Sequence, residues 1–252
     1  MLKVLKIMRA HGVQYVKDLR NAEVSPLFRG RPVILPGSDP SHDELLEKIC
    51  PVSAITSGPL QIDLGKCVFC RECEFVCPGR IQFTNDYRIA SNRREDLIVR
   101  EGEDRSIRLY EPAVRTEVRK LFRRSLKLRQ VSAGGDNSCE MELNAAGNVN
   151  FDMGRYGIQF VASPRHADGV VITGPISSNM AEALQITWDA VPSPKILILA
   201  GTDAISGGLF AGSCAIDRLF LNDHPADLYV PGNPAHPLTF INGIMDLLAI
   251  QR

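Results

Sequence analysis

The chain of 252 residues has one tryptophan and only 6% aromatic side chains. It has no net charge, since 29 basic residues balance 29 acidic ones. A balanced chain makes no general electrostatic offer to nucleic acid, and none is expected as a partner. No apolar run approaches the roughly 20 residues that a membrane helix needs. The longest, such as "KILILAG", have the length of a strand. The start, "MLKVLKIMRAHG", is short, basic and amphipathic, without the long apolar core or small-residue cleavage site of a secretory signal. No GxGxxG or Walker loop marks a nucleotide site. No Ser/His/Asp or Cys/His pair stands at a spacing that points to a nucleophile. Hydrophobic residues are plentiful at 44%, enough to bury a core, and the length allows one large or two ordinary domains.

Cysteine is the exception to this plainness. Five of the seven cysteines lie between residues 50 and 77, and four of those form the run CxxCxxCxxxC at Cys67, Cys70, Cys73 and Cys77. In a chain this large, lacking a signal peptide, such a run reads as metal chemistry in a reducing compartment rather than a disulfide framework. In two-cluster bacterial ferredoxins the first three thiolates hold one cluster and the fourth ligates the other. A weak internal repeat bears on the fourth ligand. "CPVSAI" begins at Cys50 and "CPGRIQ" at Cys77, 27 residues later. Moved back by the same offset, Cys67, Cys70 and Cys73 fall on Pro40, Asp43 and Leu46. One half has lost three cysteines and kept its Cys-Pro. Crossed ligation then assigns one [4Fe-4S] cluster to Cys50, Cys67, Cys70 and Cys73, because soft thiolates suit an iron–sulfide core. Cys77 is left as a buried spare. Zinc on Cys67, Cys70, Cys73 and Cys77 is the weaker alternative, since structural zinc sites pair two knuckles far apart in sequence. Lys66, Arg71 and Arg80 flank the loop, either raising the cluster's potential or serving as surface charges.

The chain divides into an N-terminal arm (1–35), a cysteine-bearing module (36–85), a charged linker or hairpin (86–111) and a larger region (112–252). Residues 112–130 are expected to form a helix, with Pro112 in its first turn. Val114, Val118, Leu121, Phe122 and Leu128 make its apolar stripe. Its many Arg and Lys residues suit either solvent or contact with a membrane surface or acidic partner. Beyond it, strands are expected at 158–162, 169–174, 195–201 and 227–232, with helices at 179–190 and 239–250. Alternating strands and helices imply a parallel sheet covered on both faces. The expected fold is an α+β ferredoxin-like small domain followed by an α/β flavodoxin-like domain with a mainly parallel sheet. Functional loops in such a sheet lie at the strands' C-terminal ends, here "SPRHAD", "TGPISSN", "AGTDAISGG" and "PGNPAHP".

The segments "SPRHADGVVITGPIS", "PSPKILILAG", "SGGLF" and "DLYVPGNPAHP" occur in an order that resembles the small electron-transfer subunit of complex I-related, energy-converting [NiFe] hydrogenases of the formate hydrogenlyase type. The region is similar also to the twenty-kilodalton-type subunit of respiratory complex I. The resemblance covers roughly residues 112–250, and the module in front resembles the ferredoxin subunit of the same complexes, fused here. It implies an iron–sulfur subunit on the cytoplasmic face of a membrane-associated oxidoreductase, docked on a large subunit and itself without a catalytic residue. It also implies a second [4Fe-4S] site, at positions that carry Asp136, Cys139, Asp203 and Asn233 here. Two Asp, one Asn and one Cys are a poor donor set for a soft cluster, so that site is expected to be lost. A hard oxygen-liganded ion on Asp136, Asp203 and Asn233 is a remoter alternative. Cys214 lies nearby in what reads as a helix interior. Glu140, Arg165 and His166 are the expected partner-facing residues, and His236 is expected to be exposed. With the second cluster gone, the alternative role for the chain is a structural scaffold in such a complex.

Overall fold

The computed structural model of the chain describes residues 2–37 and 40–250. Met1, Ser38, Asp39, Gln251 and Arg252 fall outside it, and with them the outermost ends of the expected arm and α/β region. The first helix, α1, spans Leu2–His11. Two similar β–α–β units follow an irregular stretch. The first is β1 (Pro32–Ile34), α2 (Pro40–Ile49) and β2 (Ile55–Thr56). The second is β3 (Gln61–Asp63), α3 (Glu72–Val76) and β4 (Ile81–Phe83). They pair crosswise and antiparallel, β1 with β4 and β2 with β3. Each helix runs into a Cys-Pro, Cys50 after α2 and Cys77 after α3. The sequence repeat is therefore also a repeat of structure.

β5 (Ile98–Arg100) pairs with β3 and completes a three-stranded sheet in the order β2-β3-β5. This strand lies within 86–111, the segment expected to be a linker or hairpin. Leu97 and Val99 are buried while Ile98 and Arg100 are half-exposed, the alternation of a strand with one face on a core. Surrounding charges conceal that short signal. Ser91 of the same segment forms an antiparallel bridge with Tyr229.

α4 spans only Thr116–Phe122, and β6 begins at Leu126 and ends at Ser132. The single helix expected over 112–130 is corrected accordingly. Val118 and Phe122 are buried at helical spacing, but Leu126 and Leu128 are buried at the spacing of a strand, and Leu121 is exposed. Two of the basic residues of this segment are committed internally. Arg115 forks onto Asp227 with both contacts at 3.0 Å, and Arg119 donates to the Leu247 carbonyl at 3.0 Å.

The remaining elements are α5 (Ser138–Ala146), β7 (Ile158–Phe160), β8 (Gly169–Thr173), α6 (Ser178–Ala190), β9 (Ile196–Ala200), α7 (Thr202–Ser206), α8 (Phe220–Asp223), β10 (Leu228–Val230) and α9 (Pro237–Leu247). β6 to β10 form one parallel five-stranded sheet in the order β10-β9-β8-β6-β7. Counted from β6, that is the doubly wound order 2-1-3-4-5. β8 and β9 are buried at every residue, as strands covered on both faces must be. Val171, Ile196 and Ile198 face a core shared with α5 and α9. Val170, Ile172, Leu197 and Leu199 face another, which continues without a break into Leu46, Ile62, Cys67 and Cys73 of the small module. The cysteine loop is thus packed against the sheet rather than tethered to it.

Candidate metal centre

Cys50, Cys67, Cys70 and Cys73 line one cavity, closed by apolar residues including Ile55, Ile62 and Phe83. Three come from the second unit and Cys50 from the first, brought together by the crosswise strand pairing. Phe69 and Arg71 take left-handed backbone, bending the chain sharply between Cys67 and the start of α3. The Phe69 amide donates to Cys67 Sγ at 3.3 Å, and the Ala54 amide donates to Cys50 Sγ at 3.2 Å. Burial pushes the Cys67 thiol up to about 12, and the nearby Cys73, Cys50 and Cys70 add to the rise. Burial, then Cys70 and Cys50, push Cys73 up to about 12 as well. Cys67 and Cys73 so placed resist ionisation unless positive charge compensates, which a cationic metal core would provide. Among the described residues no three His, Cys, Asp or Glu side chains converge as ligands of a single ion. A cubane takes each thiolate on a separate iron, and so asks for sulfurs distributed around a cavity. Four thiols lining one cavity are the donor set that such a cluster takes.

Cys77 is buried but does not line this cavity. In the first unit, the repeat positions of the missing cysteines hold other chemistry. Asp43 accepts a two-pronged contact from Arg80, at 3.0 Å and 2.9 Å, and Leu46 is fully buried. Arg80 also reaches Glu101 at 2.9 Å and the Leu35 carbonyl. It is a buried tie between Asp43 and Glu101 and not a charge on the cysteine loop. Arg71 pairs with Glu74 at 2.5 Å and lies over the Phe75 ring, while Lys66 is exposed.

The other predicted site gathers at the C-terminal edge of the parallel sheet. Asp136 and Cys139 follow β6, Asp203 lies in the first turn of α7 after β9, and Asn233 follows β10. Cys139 Sγ sits against Gly201, where an added Cβ would come within 2.4 Å of the sulfur. Only glycine fits there, and its φ of 95° independently favours glycine. Burial pushes the Cys139 thiol up to about 12, opposed by the Ala235 amide and reinforced by Glu140, Asp203 and Asp136. Burial, with Asp136 nearby, also raises Asp203. Asp136 Oδ1 is occupied locally, accepting from the Ser138 amide at 2.9 Å and its hydroxyl at 2.6 Å. The site therefore holds one thiol among carboxyls, and its donors do not fit an iron–sulfur core.

Other expectations are corrected by burial. Glu140 is buried and accepts from the Thr173 hydroxyl at 2.6 Å, so it faces the interior. Arg165 and His166 are exposed in a short 3₁₀ turn. His236 is half-buried, not exposed, and its Nδ1 accepts from the Leu238 amide at 3.2 Å to cap α9. Burial lowers it to about 4. Cys214 lies in an exposed turn and not inside a helix. Sequence reasoning missed Thr202. This buried residue joins the two sites, its hydroxyl donating to the Cys67 carbonyl at 2.8 Å. Its position beside Asp203, in a loop already singled out, was the available signal. Phe69 also bridges them, because it shares a cavity of about 600 Å³ with Asn233, His236, Phe28 and Phe151.

This arrangement, a doubly wound parallel sheet packed against a small module with a four-cysteine cavity, defines the class of an α/β protein carrying a cysteine-rich module. Residues 137–247 match the family described as NADH ubiquinone oxidoreductase, 20 Kd subunit. A Pyrococcus furiosus protein named "Probable membrane-bound hydrogenase subunit mbhJ" is 33% identical over 137 residues, 53% of this chain and 78% of that one. Formate hydrogenlyase subunit 7 of Escherichia coli is 33% identical over 142 residues, 55% of this chain and 54% of its own. An NADH-quinone oxidoreductase subunit of Desulfovibrio desulfuricans is 39% identical over 112 residues, 44% and 61% respectively. The solved structure of an archaeal membrane-bound sulfane sulfur reductase aligns with a TM-score of 0.46 at 24% identity, covering 53% of this chain and 74% of that chain. The chain belongs to the 20 Kd subunit family.

Proposed function

We propose that the chain is an iron–sulfur subunit of a membrane-associated hydrogenase-like or complex I-like oxidoreductase, peripheral on the cytoplasmic face and docked on a large subunit. Cys50, Cys67, Cys70 and Cys73 would hold one [4Fe-4S] cluster in a ferredoxin-like module of residues 36–85, supported by the pairing of β5 with β3. When bound, the cluster supplies one-electron transfer. The chain's own residues position and insulate it. The Phe69 and Ala54 amides donate to ligand sulfurs, which favours the reduced form, and the apolar wall restricts water.

The observation that carries this reading is the contrast between the two sites. Four thiols share one apolar cavity, whereas the family position at Asp136, Cys139, Asp203 and Asn233 offers a single thiol. The α/β region of residues 112–252 then acts as the dock that holds the cluster module. A second reading, a scaffold without a relay role, is favoured by the local commitment of Asp136 to Ser138. Iron and acid-labile sulfide on anaerobically purified protein, with EPR after dithionite reduction, test the assignment. About four of each per chain and one cubane signal, lost in Cys50→Ser, are expected. About eight of each would show that the substituted site still holds a cluster. None at all would leave the scaffold.

A further inference from the structure

α1 is the least satisfied element of the fold. Leu2, Val4, Leu5, Ile7 and Met8 are 54–76% exposed, and the helix has no buried residue. Single exposed apolar side chains are ordinary, but Val4, Leu5, Ile7 and Met8 within one and a half turns form a patch that needs an occupant. At 3.6 residues per turn, Val4, Leu5, Ile7 and Met8 fall on one side and Lys3, Lys6 and Arg9 on the other. The first acidic residue of the chain is Asp18, so the helix carries cations and no anions. Gly12 ends it with left-handed backbone, its amide donating to the Met8 carbonyl at 3.3 Å. Four residues later the chain is fastened to the body. The Val16 amide donates to the Asn150 carbonyl at 2.8 Å, and Arg155 lies 5.3 Å from the Tyr15 ring centre.

We propose that α1 is a membrane-surface helix, its apolar side entering an anionic bilayer at the head-group boundary while Lys3, Lys6 and Arg9 lie among the lipid phosphates. A groove on a partner protein would cover the apolar side and leave the three cations opposite without a role. At a bilayer surface the helix lies at the depth where one side meets acyl chains and the other meets phosphate, so both are used together. This places the membrane contact at the N-terminal helix instead of at residues 112–130. It rests on the peripheral placement proposed above, and its geometry is independent of the cluster assignment.

The test is co-sedimentation of the full chain with phosphatidylcholine vesicles, with and without phosphatidylserine, while iron per chain is measured on every variant. The wild type should bind the anionic vesicles and release them as salt rises. Each cation near the surface contributes about fivefold, so Lys3→Gln with Lys6→Gln should weaken binding about 25-fold. Ile7→Glu with Met8→Glu should abolish it while leaving iron content unchanged. Equal binding by wild type and the Glu variant would overturn the proposal, because another surface would then be responsible. No vesicle binding by wild type would also overturn it. If the Glu variant then also lost a co-purifying large subunit, the occupant of α1 would be a protein groove. An iron count other than about four would instead count against the cluster reading, whatever the vesicles show.

Discussion

Thr202→Val tests how firmly the Cys67 loop is fastened to the sheet. The two side chains are close in shape, so packing at this fully buried position is largely kept and the hydroxyl alone is removed. Its one proton goes to the Cys67 carbonyl at 2.8 Å in preference to the Gly232 carbonyl at 3.2 Å. The Gly232 carbonyl keeps the Thr202 amide at 2.8 Å in either case. The variant therefore leaves the Cys67 carbonyl as the group without its partner, inside the junction between module and sheet. Orphaning a buried acceptor costs about 1–3 kcal/mol. For a chain of this size each kcal/mol moves the thermal midpoint by about 2–4 °C, so a fall of roughly 2–12 °C is expected. Differential scanning calorimetry of the anaerobic protein reads it. Thr202→Ser restores the donor and loses one methyl group, about 0.8 kcal/mol, so it should fall near the small end of that range. A Val variant within about 1 °C of wild type would refute the reasoning, as would a Ser variant that melts below the Val variant.

Three further outcomes follow from the same geometry. Cys77→Ala should retain the full iron content that Cys50→Ser loses, as measured by iron and sulfide per chain, because Cys77 lies outside the four-cysteine cavity. Gly201→Ala should destabilise the chain in thermal melts, since the new methyl meets Cys139 Sγ and the backbone is left-handed. The backbone alone costs about 1–3 kcal/mol, and Cys139→Ala in the same chain should restore part of the loss by making room. Arg80 holds Glu101 well below the usual carboxylate range, at about 2, with help from the Gly37 amide. A depressed folded value means this contribution is complete above the ordinary value of 4.5 and is lost as pH falls towards 2. Glu101→Gln should therefore flatten the acid limb of a stability–pH profile between those values.

Much of the fold is legible locally. The buried strands β8 and β9 are uninterrupted apolar runs, and α6 and α9 follow their own periodicity closely enough to be placed within two or three residues. The four proposed ligands are legible for another reason. Spacing gives Cys67, Cys70 and Cys73, and the repeated Cys-Pro gives Cys50. The errors also have physical causes. Leu128 satisfies a helical and a strand period at once, which merges β6 with the preceding helix when the sequence is read alone. β5 is three residues long among charges, and its pairing with β3 supplies what its own sequence does not. His236 and Glu140 read as surface residues because polar type alone says nothing about which neighbours cover a side chain.

Sequence by itself determined the strands β7 to β10, the helices α6 and α9, the repeated Cys-Pro of the module and the presence of a single thiol among Asp136, Cys139, Asp203 and Asn233. Each of these is written in residue type and spacing along the chain. Tertiary structure alone decided that Thr202 fastens the Cys67 loop to the sheet, across a separation of 135 residues. It also decided that Arg80 spans Asp43 and Glu101, and that α1 keeps its apolar side uncovered. Contacts between distant segments depend on which surfaces the fold brings together, and local periodicity carries no record of that choice.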